Sequence, residues 1–270
     1  MGNKINHDNP GEPPKYPEIV YKYRSWNDLF HRTILTDLVV FMAPPSSFKD
    51  PLDCKLFKSY EGMPFEKSVK KHERGLIRYE PTLTRAQRRA TARKRAKNMP
   101  DLKTINRRQE EYFEKFDQRF GVLSSTEKPA LYEMWQGYAE NGTGFCVGFD
   151  PNLLFDQFGG GGPVVYYDEL PTITWRDSEI DEHHKQVFSK EQKWEFEHEY
   201  RTYKFYRTPA SVEDRRMPVP AHAYLEVIFG WAMTTAQQNE IINICKAQQL
   251  DVTFKTAKLS ENVTIEIEKR

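Results

Sequence analysis

Cysteine is scarce. Three thiols, Cys54, Cys146 and Cys245, stand far apart in 270 residues and form no CxxC pair. Neither a disulfide framework nor a structural zinc site is indicated, and reduced thiols are expected. No stretch approaches the ~20 apolar residues that a spanning helix needs. The N-terminus is polar and proline-rich without an apolar core segment, which argues against a secretory signal. Net charge is only +1, so no global field draws the chain to nucleic acid or to a membrane. The four glycines at 159–162 lack both the GxGxxG spacing and the Lys-Ser/Thr of a P-loop, so they read as a flexible loop. His183 and His184 are adjacent and cannot both face one ion from a regular element, so no metal site is expected. A soluble, cytoplasmic protein without a membrane partner is the expectation.

What the chain does hold is aromatic and charged: 13% aromatic and 29% charged residues. Both are concentrated in Lys193-Trp194-Glu195-Phe196-Glu197-His198-Glu199-Tyr200-Arg201. Read with a period of two, Trp194, Phe196, His198 and Tyr200 fall on one face, and Glu195, Glu197, Glu199 and Arg201 on the other. That pattern predicts a half-buried strand, continued by Tyr203, Phe205 and Tyr206. The three carboxylates on one face require a cationic or hydroxyl-rich partner. The alternative is a helix with Glu197 and Arg201 paired at i, i+4.

Residues 1–18 read as a disordered leader and 19–270 as one domain. Residues 19–24 predict a short strand, and Ser25 an N-cap for the helix that follows. A second buried strand over 38–42 leads into the proline-locked loop 43–53. Asp50 and Asp53 there read as turn-forming residues, with substrate contact as the alternative. Residues 60–120 form a basic helical insert. Between Arg85 and Arg108 there are ten Lys and Arg against Asp101 alone, with helices predicted over 84–98 and 102–119 and a break at Pro100. Arg88, Arg89, Arg93, Lys94 and Arg95 are its candidate nucleic-acid contacts; the alternative is a solvated helix face. Strands are predicted over 121–126, 145–150, 164–167 and 225–230, helices over 131–140 and 234–249, and a closing hairpin over 251–268. Segment 209–220 reads as a charged loop. Strands grouped without regular βαβ alternation predict an α+β fold: a mixed, mainly antiparallel sheet with flanking helices.

Four ordered motifs carry a family resemblance: Tyr21-Lys22-Tyr23-Arg24-Ser25; residues 44–53; Met134-Trp135 with Tyr138-Ala139 and residues 144–150; and residues 194–201. Together they resemble the bacterial domain of unknown function family 2971, with Lys49 where that family usually has Asn and Leu52 where it usually has Phe. The family name implies no activity. A second resemblance is to toxin-type ADP-ribosyltransferases, in which an Arg on a first strand, a hydroxyl strand and a later Glu-x-Glu follow in order. Arg24, Ser124-Ser125-Thr126 and Glu197-His198-Glu199 match that order. The resemblance implies NAD as substrate, Glu197 and Glu199 as catalytic carboxylates, and Tyr23, Arg24, Ser124, Ser125, Trp135 and Arg201 as NAD-binding residues. It implies a nucleic-acid or protein acceptor and, by extension, a toxin or anti-phage effector. Tyr132 is a further stacking candidate. The alternative reading of the residues is a buried network in which Arg24 and Arg201 pair with Glu197 or Glu199. Two other functions stay open. One is a nucleic-acid-binding protein or nuclease in which Asp50, Asp53, Glu197 and Glu199 would hold Mg²⁺. The other is a non-catalytic regulatory or interaction protein.

Overall fold

The computed structural model describes residues 16–98 and 102–270. The leader and the break at Pro100 thus lie mostly or wholly outside the described residues. In chain order the elements are β1 (Val20–Arg24), α1 (Leu29–Thr36), β2 (Val39–Phe41), β3 (Lys58–Ser59), α2 (Phe65–Tyr79), α3 (Arg85–Lys97), α4 (Leu102–Arg119) and β4 (Phe120–Thr126). Next come α5 (Tyr132–Tyr138), β5 (Phe145–Phe149), α6 (Pro151–Asp156), β6 (Gly162–Pro163), β7 (Val165–Tyr167), β8 (Ile173–Thr174), α7 (Glu179–Phe188) and β9 (Ser189–Glu191). The chain closes with β10 (Glu199–Phe205), β11 (Arg216–Pro218), β12 (Tyr224–Phe229), α8 (Thr235–Ala247), β13 (Thr253–Leu259) and β14 (Ile265–Lys269).

An eight-stranded sheet in the order β14-β13-β12-β5-β1-β4-β10-β6 forms the body. It is antiparallel except for β12 and β13, which run parallel with α8 as their crossover. The fold is α+β, as the pattern of elements predicts. Strand β5 sits near the middle and is buried at every residue, as its run of apolar residues on both faces requires. Val20, Phe145, Val147, Phe149, Val227 and Phe229 pack on one face. Tyr21, Tyr23, Cys146, Ile228 and Ala257 pack on the other, against Trp135 of α5. No helix among the described residues is long and apolar enough to cross a membrane.

The sheet is split at its centre. Strand β1 pairs with β5 along its whole length, from Val20↔Phe149 to Arg24↔Phe145. With β4 it pairs only at Tyr21↔Thr126. Beyond that point the strands part, and the free edge of β4 is met at Val122 by Ala43. Ala43 follows β2, which itself pairs with β11. The opening between β1 and β4 becomes the floor of a cavity.

Several local expectations shift. The cap of α1 is Asp28, whose carboxylate accepts from the Phe30 amide. Ser25 instead folds the turn before it, accepting from Asn27 and Asp28. The helix predicted over 131–140 stops at Tyr138, because Glu140 and Asn141 take left-handed backbone. The charged loop 209–220 contains β11. The largest correction concerns 193–201: Gln192–Glu197 is a 3₁₀ helix, His198 is left-handed (φ 43°, ψ 53°), and the strand starts at Glu199. Its neighbour β4 ends at Thr126, the partner of Glu199. Residues before Glu199 therefore have no ladder to join on that side, and alternation alone does not hold them extended.

Arg215 ties the insert to the sheet. It is 5% exposed and donates to the carbonyls of Met42, Phe120, Asp117 and Gln118 at 2.6–3.2 Å. Two of these carbonyls belong to the last turn of α4, where a cation is favoured. Arg215→Met removes the donor from four main-chain acceptors, two of which, on Met42 and Phe120, are buried. It is expected to lower stability by about 3 kcal/mol in urea unfolding, with a normal slope; a loss under about 1 kcal/mol would contradict this role.

Candidate functional site

A cavity of about 390 Å³ opens between β1 and β4. Its wall includes Tyr23, Arg24, Ser124, Ser125, Glu197, Glu199 and Arg201, all anticipated from the sequence, and also Lys22, His31, Asp53, Tyr138, Lys190 and Trp194. Trp135 is absent from it. That ring is fully buried, its indole donates to the Pro129 carbonyl, and it meets Tyr23 edge-on at 5.1 Å. It therefore supports Tyr23 from behind and does not stack on a ligand. Tyr132 likewise stacks on Trp231.

One wall is a buried charge network. The Arg201 side chain, 1% exposed, lays both terminal nitrogens on Asp53 at 2.7 and 2.6 Å. It also grips Glu199 with Nε and Nη2, each at 2.8 Å, and donates to the Val187 carbonyl at the end of α7. The parallel ribbon β7–β9 carries Lys190 into the same space. Its Nζ lies 2.5 Å from Glu197, 3.1 Å from Glu199 and 3.7 Å from Asp53. The Tyr138 hydroxyl donates to Glu197 at 2.9 Å. The requirement for cationic and hydroxyl partners is met, although by a 3₁₀ turn and a strand in place of one continuous strand.

Three carboxylates share two cations here, and the titration of Glu199, Glu197 and Lys190 reflects it. Burial works against the charge of Glu199, yet Arg201 and Lys190 outweigh it and hold its carboxyl down at about 2. Glu197 is touched by Lys190 but not by Arg201; burial and the neighbouring Glu199 raise its carboxyl above the usual range. Lys190 is held above its ordinary value, because Glu199, Glu197 and Asp53 overcome the cost of burial.

The facing wall is cationic. Lys22 crosses the split to the Ser124 carbonyl. Burial first, then the neighbouring Arg24, lower its ammonium to about 7. Burial also lowers Arg24, to about 10. Among the described residues its one side-chain hydrogen bond is to the Tyr23 carbonyl at 3.4 Å, and neither Lys22 nor Arg24 has an ion-pair partner there. His31 is pushed below its usual value by burial and by Arg24. The roof comes from the 43–53 loop. Lys49 there donates to the Gly137 carbonyl and lies 3.9 Å from the Tyr138 ring centre. Two buried polar atoms of the cavity residues, Asp50 Oδ2 and Trp194 Nε1, have no partner among the described residues.

The other candidates named from the sequence separate from this cavity. His183 and His184 pack as rings, against Phe120 and Phe188 respectively. No group of three or more His, Cys, Asp or Glu side chains among the described residues could hold a metal. Asp53, Glu197 and Glu199 are instead paired with Lys190 and Arg201. The insert residues Arg88, Arg89, Arg93, Lys94 and Arg95 lie on α3, away from the cavity wall. Arg93 pairs with Glu66, Arg95 with Glu80, and Arg88 donates to the Leu83 carbonyl. Arg89 and Lys94 are exposed. Lys22 could have been found from the sequence, since it shares a strand face with Arg24. Lys190 carried no signal, because a short ribbon and no motif places it.

An α+β protein with a two-walled charged cleft is what fold and site define together. Comparison with known families adds one result: residues 134–202 match the model of the family described as "Protein of unknown function (DUF2971)". The matched stretch holds Tyr138, Lys190, Glu197, Glu199 and Arg201, and leaves β1 and the basic insert outside. No curated protein and no solved structure matches the chain.

The network predicts an acid limb of stability. The folded value of Glu199, about 2, lies below its ordinary 4.5. Its contribution is thus fully present above about pH 4.5 and is lost as pH falls toward 2, an effect on the order of 3 kcal/mol. Urea unfolding between pH 6 and 3 is expected to show about 2 kcal/mol of that loss in the parent and a flatter profile in Glu199→Gln. Parallel profiles would remove Glu199 from the acid response.

Proposed function

We propose that the cavity cleaves the nicotinamide–ribose bond of NAD and transfers ADP-ribose to a nucleophile. The observation that carries this reading is a cationic wall, without an ion-pair partner among the described residues, facing a network of three carboxylates paired with two cations. NAD presents matching charges: an anionic pyrophosphate at one end and, as the bond breaks, a cationic ribose at the other.

Each residue has a role that its surroundings support. Lys22 and Arg24 hold the pyrophosphate, with charge-assisted bonds stronger than neutral ones. Glu197, fixed by Tyr138 and Lys190, faces the ribose. As the bond from C1′ to the nicotinamide nitrogen breaks, its electron pair leaves with neutral nicotinamide. The positive charge left on the ribose is stabilised by the Glu197 carboxylate. The incoming hydroxyl or amine then attacks C1′ and releases its proton to Glu197, whose raised value suits it to accept one. Glu199 and Arg201 act through their neighbours and hold Lys190 and Asp53 in place. Ser124 and Ser125 line the floor. The nicotinamide carboxamide, with both donor and acceptor, complements Asp50 Oδ2 and Trp194 Nε1.

Nicotinamide release from labelled NAD tests this reading. Glu197→Gln is expected to reduce release about 10³-fold while leaving unfolding cooperative. In the parent, kcat/KM is expected to rise as Glu197 loses its proton, at a pH above the usual carboxylate range. It then falls as Lys22 loses its proton near pH 7, with Lys22→Met removing the falling limb. No nicotinamide release and no NAD binding by calorimetry would overturn the proposal.

A further inference from the structure

Helices α2 and α3 pack chiefly on each other and on no other helix or strand to a comparable extent. They have a small core of their own in Val69, Leu76 and Ala92, with Leu83 and Ala96 beside it. A capping box from Thr84 and Gln87 starts α3. This hairpin projects as an arm, and its charge differs from that of the rest of the chain. Residues 65–98 hold twelve Lys and Arg against three Glu, although the whole chain nets only +1.

The distribution on the arm is as informative as the total. Arg85, Arg89, Arg93 and Lys97 recur every fourth residue of α3, ~6 Å apart along the axis. Like charges at that spacing destabilise a helix, and among the described residues only Arg93 of these four has a carboxylate partner, Glu66. Cations crowd again beside the start of α2. The amine of Lys71 sits 2.8 Å from the Tyr60 ring centre. Burial and the nearby Lys58 and Arg108 lower that amine to about 7, with Glu182 the one carboxylate opposing them. Lys67 and Arg176 lie 4.5 and 4.4 Å from the Trp175 ring centre, and Tyr60 is 41% exposed. A surface that gathers like charges at a cost in repulsion, and sets aromatic rings among them, fits a flexible polyanion with stackable bases.

We propose that the α2–α3 arm, with Tyr60 and Trp175 beside the first turns of α2, is a docking surface for single-stranded nucleic acid. Phosphates lie along the α3 ridge and bases stack at the aromatic end. Stacking distinguishes this occupant from a duplex or an anionic membrane, which would engage the cations alone. The surface stands apart from the cavity, so docking does not depend on NAD chemistry.

The test is fluorescence anisotropy with the full chain and a labelled single-stranded RNA of mixed sequence, run beside its duplex and phosphatidylserine vesicles. Single-stranded RNA is expected to bind best at low salt. The double variant R89Q/K94Q is expected to reduce the slope of log K against log salt by about 0.7 for each phosphate no longer neutralised. Trp175→Ala is expected to weaken binding about five- to a hundredfold, and Trp175→Phe to restore most of it. E197Q, if NAD cleavage fails, is expected to bind RNA as the parent does. Circular dichroism melting of each variant separates misfolding from a weakened RNA interface. No RNA binding at low salt, equal binding by all folded variants, or preference for duplex or vesicles would each overturn the proposal.

Discussion

The constraint on which the site depends is an imbalance of buried charge. Asp53, Glu197 and Glu199 are each less than 7% exposed, and among the described residues their ion-pair partners are Lys190 and Arg201. Burying ions costs several kcal/mol apiece unless pairing and hydrogen bonds recover it. Arg201 recovers it for Asp53 and Glu199 through two fork-like contacts, and Lys190 covers part of the remainder. Glu197 is left with the smallest share. One more cation beside Glu197 would hold its carboxyl low, as Arg201 and Lys190 hold that of Glu199.

That imbalance is enforced by elements far apart in the chain. Asp53 comes from a proline-locked loop, Lys190 from a parallel ribbon, Glu197 from a 3₁₀ turn, and Glu199 and Arg201 from the strand after it. The left-handed corner at His198 lets the last three coexist, because it turns Glu197 back toward Lys190 while the strand proceeds. Opposite them, the early parting of β1 from β4 leaves room for Lys22 and Arg24. The cavity thus results from two interruptions of regular structure, one in a strand and one in a sheet.

The fold class and the central strand Phe145–Phe149 were legible in the sequence, because apolar runs and turn residues report local geometry directly. The insert helices expected over 84–98 and 102–119 were legible too, as Arg85–Lys97 and Leu102–Arg119. The candidate residues Arg24, Ser124, Glu197, Glu199 and Arg201 are brought together in the lining of one cavity. Their individual surroundings were not legible, since Lys190 and Asp53 approach through pairings distant in sequence. Trp135 shows the same limit from the other side: an aromatic beside a site reads identically whether it faces a ligand or props the residue that does. The strand assigned to 193–197 failed because alternation describes side chains and says nothing about whether a neighbouring ladder is present.

The parting of β1 and β4 has a consequence for how such a site diversifies. Part of the cavity floor is main chain, as the Lys22 bond to the Ser124 carbonyl shows. A peptide carbonyl is supplied by every residue type, so point mutation leaves that portion of the surface unchanged. Variation can therefore accumulate in the arm beside it while the main-chain part of the floor stays the same.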